Sequence, residues 1–165
     1  MDTITKLADD RTDALTARYG ADALPPAGPW NETIGVLLGH RSVRRFLPTP
    51  VPEGTLETMI AAAQSASTSS NLQAWSVVVV DDPAKRRELA RIAANQKHIE
   101  ECPLYMVFIA DLSRLERIGE KHGSGTNGLP WTETFLVAAV DAALAAQNAV
   151  VAAESLGLSM VYIGA

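Results

Sequence analysis

Apolar residues recur along much of the chain at the spacing of a helix with one buried face. Between residues 52 and 65 the positions i, i+3, i+4 and i+7 are occupied by Leu56, Met59, Ile60 and Ala63. Similar patterns predict helices at 33–39, at 84–95 and at 112–119. A long alanine-rich helix is predicted at 132–156, where Gly157 provides a typical C-terminal cap.

Shorter apolar runs predict strands between these helices. Four consecutive valines at 77–80 favour a strand at 75–80 that is covered on both faces. Two further strands are predicted at 104–110 and 159–163. This order of elements indicates helices packed on a sheet, and periodicity alone favours a parallel sheet.

The two ends of the chain differ from this pattern. Residues 1–29 are mixed in charge and interrupted by prolines, so we interpret them as an N-terminal extension in which 3–19 can form a short amphipathic helix. The organised domain is predicted at 30–165. Because the sequence stops in or just after an apolar strand, we expect it to lack the C-terminal part of its fold.

Composition limits the possible functions. The 165 residues are 47% hydrophobic, and 19 acidic residues against 14 basic ones give a net charge of -5, so neither nucleic acid nor an anionic membrane is an expected partner. A single cysteine, Cys102, excludes an internal disulfide. No signal segment is recognisable at the start, so a cytoplasmic location is expected. The segment 135–153 has the length of a membrane span, but its Asp141, Gln147 and Asn148 favour a central helix.

Four polar segments are candidates for chemistry. The first, 40–45, combines three arginines with His40 and Ser42 and suits an anion, although a solvated basic loop is an equal alternative. The others are 67–75, 95–98 and 162–165, for which turns, a helix end and a strand end are the simpler explanations. No catalytic triad motif, metal-binding motif or dinucleotide fingerprint is present, and the three histidines lack metal-ligand spacing.

Five short motifs follow one another along the chain: H-R-S-V-R at 40–44, S-T-S-S-N-L-Q-A-W at 67–75, N-Q-K-H at 95–98, A-A-Q-N-A-V-V-A-A-E-S-L-G-L at 145–158 and V-Y-I-G at 161–164. In this order and spacing they resemble the bacterial oxygen-insensitive nitroreductase family, in particular its NADPH-preferring subgroup, which includes flavin reductases. The resemblance implies an α+β three-layer sandwich with a mixed, mostly antiparallel sheet flanked by helices. It therefore replaces the parallel sheet, and it implies that the C-terminal part of the family fold is absent.

The resemblance also implies which residues bind FMN. One group matches positions at the phosphate, the ribityl chain and the N1/O2 edge of the flavin: His40, Arg41, Ser42 and Arg44. A second group matches a polar run that reaches a flavin from the neighbouring subunit: Thr68, Ser69, Ser70 and Asn71. A third group matches positions along the isoalloxazine ring: Gln96, Tyr162, Ile163 and Gly164.

The function implied is that of a homodimeric FMN oxidoreductase. Such an enzyme takes two electrons from NAD(P)H and passes them to a nitroaromatic compound, a quinone or free flavin in a ping-pong reaction. No side chain is expected to act as a catalytic acid, base or nucleophile, because the cofactor carries the chemistry. Two alternatives stay open at this point: a non-catalytic FMN-binding protein, and an inactive fragment of such an enzyme.

Overall fold

Helices dominate the part of the chain that the structure, a computed structural model, describes: residues 3–26 and 28–164. In chain order the helices are α1 (Thr3–Tyr19), α2 (Glu32–Gly39), α3 (Thr55–Gln64), α4 (Pro83–Ile92), α5 (His98–Glu101), α6 (Ser113–Lys121) and α7 (Thr132–Ser155). The strands are β1 (Trp75–Val79) and β2 (Met106–Ala110), and short 3-10 turns lie at Ala21–Ala23 and Ser69–Asn71.

The two strands pair antiparallel, with Trp75 opposite Ala110 and Val79 opposite Met106. The parallel sheet that periodicity alone favoured is therefore wrong. The predicted strand at 159–163 is also wrong, because this segment makes only one isolated parallel bridge, between Ser42 and Met160. Pairing of both directions is thus present, as the α+β expectation requires.

Covering of β1 on both faces is a further expectation that the structure corrects. Val78 is 48% exposed and Val79 is 36% exposed. The reason is that the described residues place α3 and α7 against one part of the sheet and no element over the outer ends of these strands. A run of valines indicates an apolar segment, but it does not show whether other elements cover one face or both faces of the strand.

The core is built where α7 lies against α3 and the sheet. Three alanines of α7, one helical turn apart, are at most 3% exposed: Ala145, Ala149 and Ala153. They contact Met59 and Ala63 of α3. Because alanine side chains are short, the two helices can approach closely along this line. The sequence-based interpretation of α7 as a central helix agrees with this packing, although α7 is also long and apolar enough to span a membrane by length and composition alone.

Two polar side chains of α7 form hydrogen bonds with backbone groups of other parts of the fold. Asp141 is 1% exposed and accepts hydrogen bonds from the backbone N–H groups of Ser69 and Ala74, both at 3.1 Å. Asn148 donates from Nδ2 to the carbonyl oxygen of Ala62 at 3.1 Å. These contacts attach the end of α3, and the segment between α3 and β1, to the central helix.

Most predicted helices are confirmed with shifted ends. α3 begins only at Thr55, after Gly54 in the left-handed conformation with φ 78°. α4 ends at Ile92 because Ala94 and Asn95 are left-handed, with φ 58° and 60°, and the short helix α5 was not predicted. α7 ends at Ser155, and Gly157 with φ 78° follows it as predicted.

We expect Asp141→Ala to lower the free energy of unfolding by roughly 2–4 kcal/mol, because two backbone N–H groups lose a charged acceptor and that of Ala74 is fully buried. Urea denaturation followed by circular dichroism measures this loss. Asp81→Ala is the control, since Asp81 is exposed and makes no hydrogen bond within the described chain, and it should change stability by less than about 0.5 kcal/mol. Equal effects of the two substitutions would contradict the role assigned to Asp141.

Candidate functional site

The basic segment 40–45 leaves the end of α2 and runs beside the segment that follows α7. The N–H of Val43 donates to the carbonyl oxygen of Met160 at 3.1 Å, next to the Ser42–Met160 bridge. This pairing brings His40, Arg41 and Ser42 close to the last residues of the chain. Two sequence-predicted groups of site residues, separated by about 120 positions, therefore meet in the structure.

Arg41 is held by backbone carbonyl groups. Its Nη1 donates to the carbonyl oxygens of Leu38 (3.2 Å) and His40 (2.8 Å), and its Nη2 donates to that of Ala17 (3.1 Å). Ala17 lies in the last turn of α1, where the unpaired carbonyl groups carry partial negative charge and attract a cation. Arg41 is thus oriented by the protein itself, and its Nε–H makes no hydrogen bond to a described residue.

The N-terminal segment contacts this part of the molecule. Arg18 of α1 donates from Nη1 to the carbonyl oxygen of His40 at 2.7 Å, and Leu15 is 6% exposed where α1 packs against α2. The expected helix at 3–19 is confirmed. It does not stand apart from residues 30–164, and the boundary at residue 29 stays a prediction.

Arg44 and Arg45 differ from Arg41. Both side chains are exposed, and neither makes a hydrogen bond or an ion pair with the residues that the structure describes. Their charges are therefore available to a ligand. In a chain with a net charge of -5 they form a local positive surface beside Ser42.

The segment after α7 carries Tyr162, Ile163 and Gly164. The hydroxyl of Tyr162 donates to Oε1 of Gln147 at 3.4 Å, and partial burial together with the nearby Glu154 carboxylate raises the pKa of the phenol. Tyr162 therefore stays a neutral donor at physiological pH. A Cβ added at Gly164 would meet no atom of the described residues within 4 Å, so no described side chain crowds this position. Ala165 lies outside the described residues.

Gln96 sits in the turn between α4 and α5. Its N–H donates to the carbonyl oxygen of Ala90 at 3.2 Å, and its own carbonyl accepts from the N–H of Ile99 at 3.0 Å. Ile163 packs against the small cluster that contains Ala90 and Ile99. The structure therefore brings the turn of Gln96 next to the segment 162–164. Within the described chain the amide side chain of Gln96 makes no hydrogen bond.

The polar run that contains Thr68, Ser69, Ser70 and Asn71 lies elsewhere. Ser69 is hydrogen-bonded to Asp141, whereas His40 contacts Glu154. Asp141 and Glu154 are 13 residues apart on α7, which corresponds to about 20 Å along the helix. Beside the run, α7 forms the wall of a groove of about 320 Å³, lined by Leu136, Val140 and Leu144 among others. Within one chain, this run does not join the other predicted site residues.

Backbone strain is concentrated in the predicted polar segments. The described residues other than glycine that have positive φ are Ser70, Asn71, Gln73, Ala94 and Asn95, with φ between 50° and 60°. Such conformations cost free energy and persist where surrounding contacts fix them, which is frequent at binding sites. Three of them follow Ser69 and two precede Gln96.

The pattern of the Nitroreductase family matches residues 37–165, which include all twelve predicted site residues. The chain belongs to the nitroreductase family.

Individual members of the nitroreductase family are closely similar. The chain is 45% identical over 135 residues to an FMN reductase (NADPH) of Bacillus subtilis, covering 81% of this chain and 54% of that protein. It is 42% identical over 132 residues to an oxygen-insensitive NADPH nitroreductase of Salmonella typhimurium, covering 80% of this chain and 53% of the relative. The chain spans about half the length of these curated relatives.

Solved nitroreductase structures have the same fold. The NfrA1 nitroreductase of B. subtilis superposes with a TM-score of 0.78 at 45% identity, over 80% of this chain and 54% of the other. An NADPH:FMN oxidoreductase of Vibrio harveyi, solved with NAD+, gives 0.76 at 42% identity, over 81% and 56%. The expected α+β nitroreductase fold is thereby confirmed.

Sequence reasoning missed three residues that contact the candidate site. Glu154 and Gln147 of α7 contact His40 and Tyr162, and Arg18 contacts the backbone of His40. For Gln147 the available signal was a polar residue in an alanine-rich helix, which was used to argue against a membrane span. Arg18 carried no signal, because its contact spans 22 positions and depends on how α1 folds back.

We expect Ala94→Gly to raise the free energy of unfolding by roughly 0.5–1 kcal/mol, because a left-handed φ of 58° is strained for alanine and free for glycine. Ala84→Gly in the first turn of α4 is the matched control and should destabilise by a similar amount. Thermal and urea unfolding report both changes. If Ala94→Gly destabilises as Ala84→Gly does, the turn before Gln96 is not strained as described.

Proposed function

We propose that this chain is the FMN-binding part of a cytoplasmic, homodimeric, NAD(P)H-dependent FMN oxidoreductase. In this proposal two electrons from NAD(P)H are passed to a nitroaromatic compound, a quinone or free flavin, and the oxidised nicotinamide leaves before the acceptor binds. The observation that carries the proposal is the meeting of the basic segment 40–45, the turn of Gln96 and the segment 162–164. The names of the relatives, FMN reductase and NADPH nitroreductase, support it.

The donors present fit the chemistry of FMN. A phosphate dianion needs cations and neutral N–H or O–H donors, which Arg45 and Ser42 supply without an internal partner. The isoalloxazine ring has a polar edge that both donates and accepts, and a carboxamide such as Gln96 can do both. No described side chain crowds Gly164, beside which the flat ring is proposed to lie. When bound, FMN supplies the two-electron redox chemistry that the side chains of this site do not offer.

The protein residues then have distinct tasks. Arg41, oriented by three carbonyl groups, keeps Nε–H free for the phosphate end, and Arg44 places a positive charge beside the ring. Tyr162 and Ile163 border the ring, and Ile163 fixes the distance to the turn of Gln96 by packing on Ile99 and its neighbours. Orientation and electrostatics are thus the contributions of this chain to the reaction.

A second copy of the chain supplies the remaining group in this proposal. Thr68, Ser69, Ser70 and Asn71 lie about 20 Å along α7 from Glu154, so they cannot reach the same ligand within one chain. Beside them α7 exposes Phe135, Leu136 and Val140 by 56–58% each, an apolar face suited to burial. A two-fold pairing through this face would bring the polar run of each copy to the site of the other.

Absorption spectroscopy tests the proposal. The purified chain is mixed with FMN, free flavin is removed by gel filtration, and the flavin band near ~450 nm is recorded before and after NADPH is added without oxygen. Retained flavin that bleaches with NADPH, followed by quinone-dependent NADPH oxidation, supports the enzyme. Retained flavin without bleaching identifies an FMN-binding protein, and a folded chain without flavin identifies an inactive fragment; both outcomes overturn the proposed activity.

We expect Arg44→Ala to weaken FMN binding by roughly 1.5–3 kcal/mol, because a charge-assisted contact to the cofactor is lost. Quenching of flavin fluorescence measures the dissociation constant. Arg87→Ala is the control, since Arg87 is an equally exposed arginine of α4 without a hydrogen bond in the described chain. An unchanged dissociation constant for Arg44→Ala would remove Arg44 from the site.

We also expect the double substitution Leu136→Glu with Val140→Glu to convert a dimer into monomers, because four charges per pair would be buried at the proposed interface. Sedimentation velocity distinguishes the two states. Ile118→Glu, at a side chain of α6 that is 50% exposed, is the control and should leave the dimer intact. A variant that stays dimeric would place the interface elsewhere.

A further inference from the structure

Glu154 lies where a carboxylate is unfavourable. Its side chain is only 10% exposed, it follows the buried Ala153, and it sits in the last turn of α7, where the helix dipole disfavours negative charge. Its one hydrogen-bond partner among the described residues is Nδ1 of His40, at 2.6 Å. A buried carboxylate is tolerated when it is paired, so the pair accounts for the presence of Glu154.

This pair fixes the orientation of the imidazole ring. A carboxylate only accepts hydrogen bonds, so Nδ1 of His40 must carry the proton that lies between them. Nε2 is then the ring nitrogen left for a ligand, and it makes no hydrogen bond to a described residue. The backbone of His40 is held as well, because its carbonyl oxygen accepts from Arg18 and Arg41.

Glu154 is also close to the other side of the site. Its charge contributes to the raised pKa of Tyr162, whose hydroxyl is bound by Gln147 two turns earlier on α7. One stretch of α7, from Gln147 to Glu154, thus contacts both the segment at 40 and the segment at 162. These two segments, which lie side by side, both border the proposed flavin site.

We propose that Glu154 is a positioning residue of the cofactor site: it accepts the Nδ1–H of His40 and so directs Nε2 toward the phosphate and ribityl end of the flavin. The proposal rests on the proposed function, since it assumes that FMN binds beside His40. The essential property is the acceptor oxygen rather than the negative charge. Glutamine at position 154 should therefore replace glutamate, whereas a residue without an acceptor should not.

The test combines a ligand-free signature with a binding constant. Three variants of the full chain are compared with the wild type: Glu154→Gln, Glu154→Leu, which keeps the volume without a buried charge, and Glu57→Leu, at an exposed carboxylate of α3 that makes no hydrogen bond in the described chain. Nitrogen-15 NMR at about pH 8.5 identifies which ring nitrogen of His40 carries the proton. Fluorescence quenching gives the dissociation constant of FMN.

We expect the wild type, Glu154→Gln and Glu57→Leu to show the Nδ1–H form and to bind FMN within about threefold of one another. Glu154→Leu should lose the preference for Nδ1–H and bind FMN about tenfold more weakly. His40→Ala should show the same tenfold loss, and combining it with Glu154→Leu should add nothing, because both substitutions remove one contact.

Three results would overturn the inference: an Nε2–H form in the wild type, full FMN affinity in Glu154→Leu, or a loss in Glu154→Gln as large as that in Glu154→Leu. If Glu154→Leu does not fold, the comparison of Glu154→Gln with His40→Ala decides, since the inference requires the first to bind FMN and the second to bind it weakly. A failure of the proposed function can be told apart from a failure of the pairing. If the wild-type chain shows the Nδ1–H form but never binds FMN, the His40–Glu154 pairing is supported, while the proposed function and the positioning role of Glu154 are overturned.

Discussion

The structure depends on the close approach that the alanines of α7 allow. Ala145, Ala149 and Ala153 bring the helix against α3 and the sheet, and this closeness lets short polar side chains of the same helix reach their partners. Asp141 is hydrogen-bonded to the segment before β1, and Asn148 is hydrogen-bonded to the end of α3. Glu154 is hydrogen-bonded to the segment after α2. A bulkier face would separate the layers and leave these groups buried without partners, which is costly.

The length of α7 also determines how a site can be completed. The helix holds the polar run near Asp141, close to its middle, and the basic segment near Glu154, at its C-terminal end, about 20 Å apart. No loop movement within one chain can bring the polar run and the basic segment together while the contacts of Asp141 and Glu154 are kept. In the proposed dimer, two copies related by a two-fold axis through the apolar face of α7 join them twice and bury that face.

Local sequence signals predicted the helices well and the pairings poorly. The helix Thr132–Ser155 and its capping Gly157 could be predicted, because apolar periodicity and a glycine cap depend only on residues that are close together in the sequence. The strand expected at 159–163 failed because a strand needs a partner, and the described chain offers only Ser42. Glu154 was missed because its partner lies 114 positions away, a distance that no local pattern encodes. The family resemblance corrected the sheet direction, since it carries information about pairing that spacing lacks.

Complementation between two deficient variants tests the shared site most directly. One variant carries Arg44→Ala, and the other carries alanine at Thr68, Ser69 and Ser70; each alone should retain little FMN. In a mixture refolded together, half of the dimers combine one chain of each kind and contain one intact site. We expect the mixture to bind about a quarter of the amount of flavin that the wild type binds. A mixture as free of flavin as its components would contradict a site built from two chains.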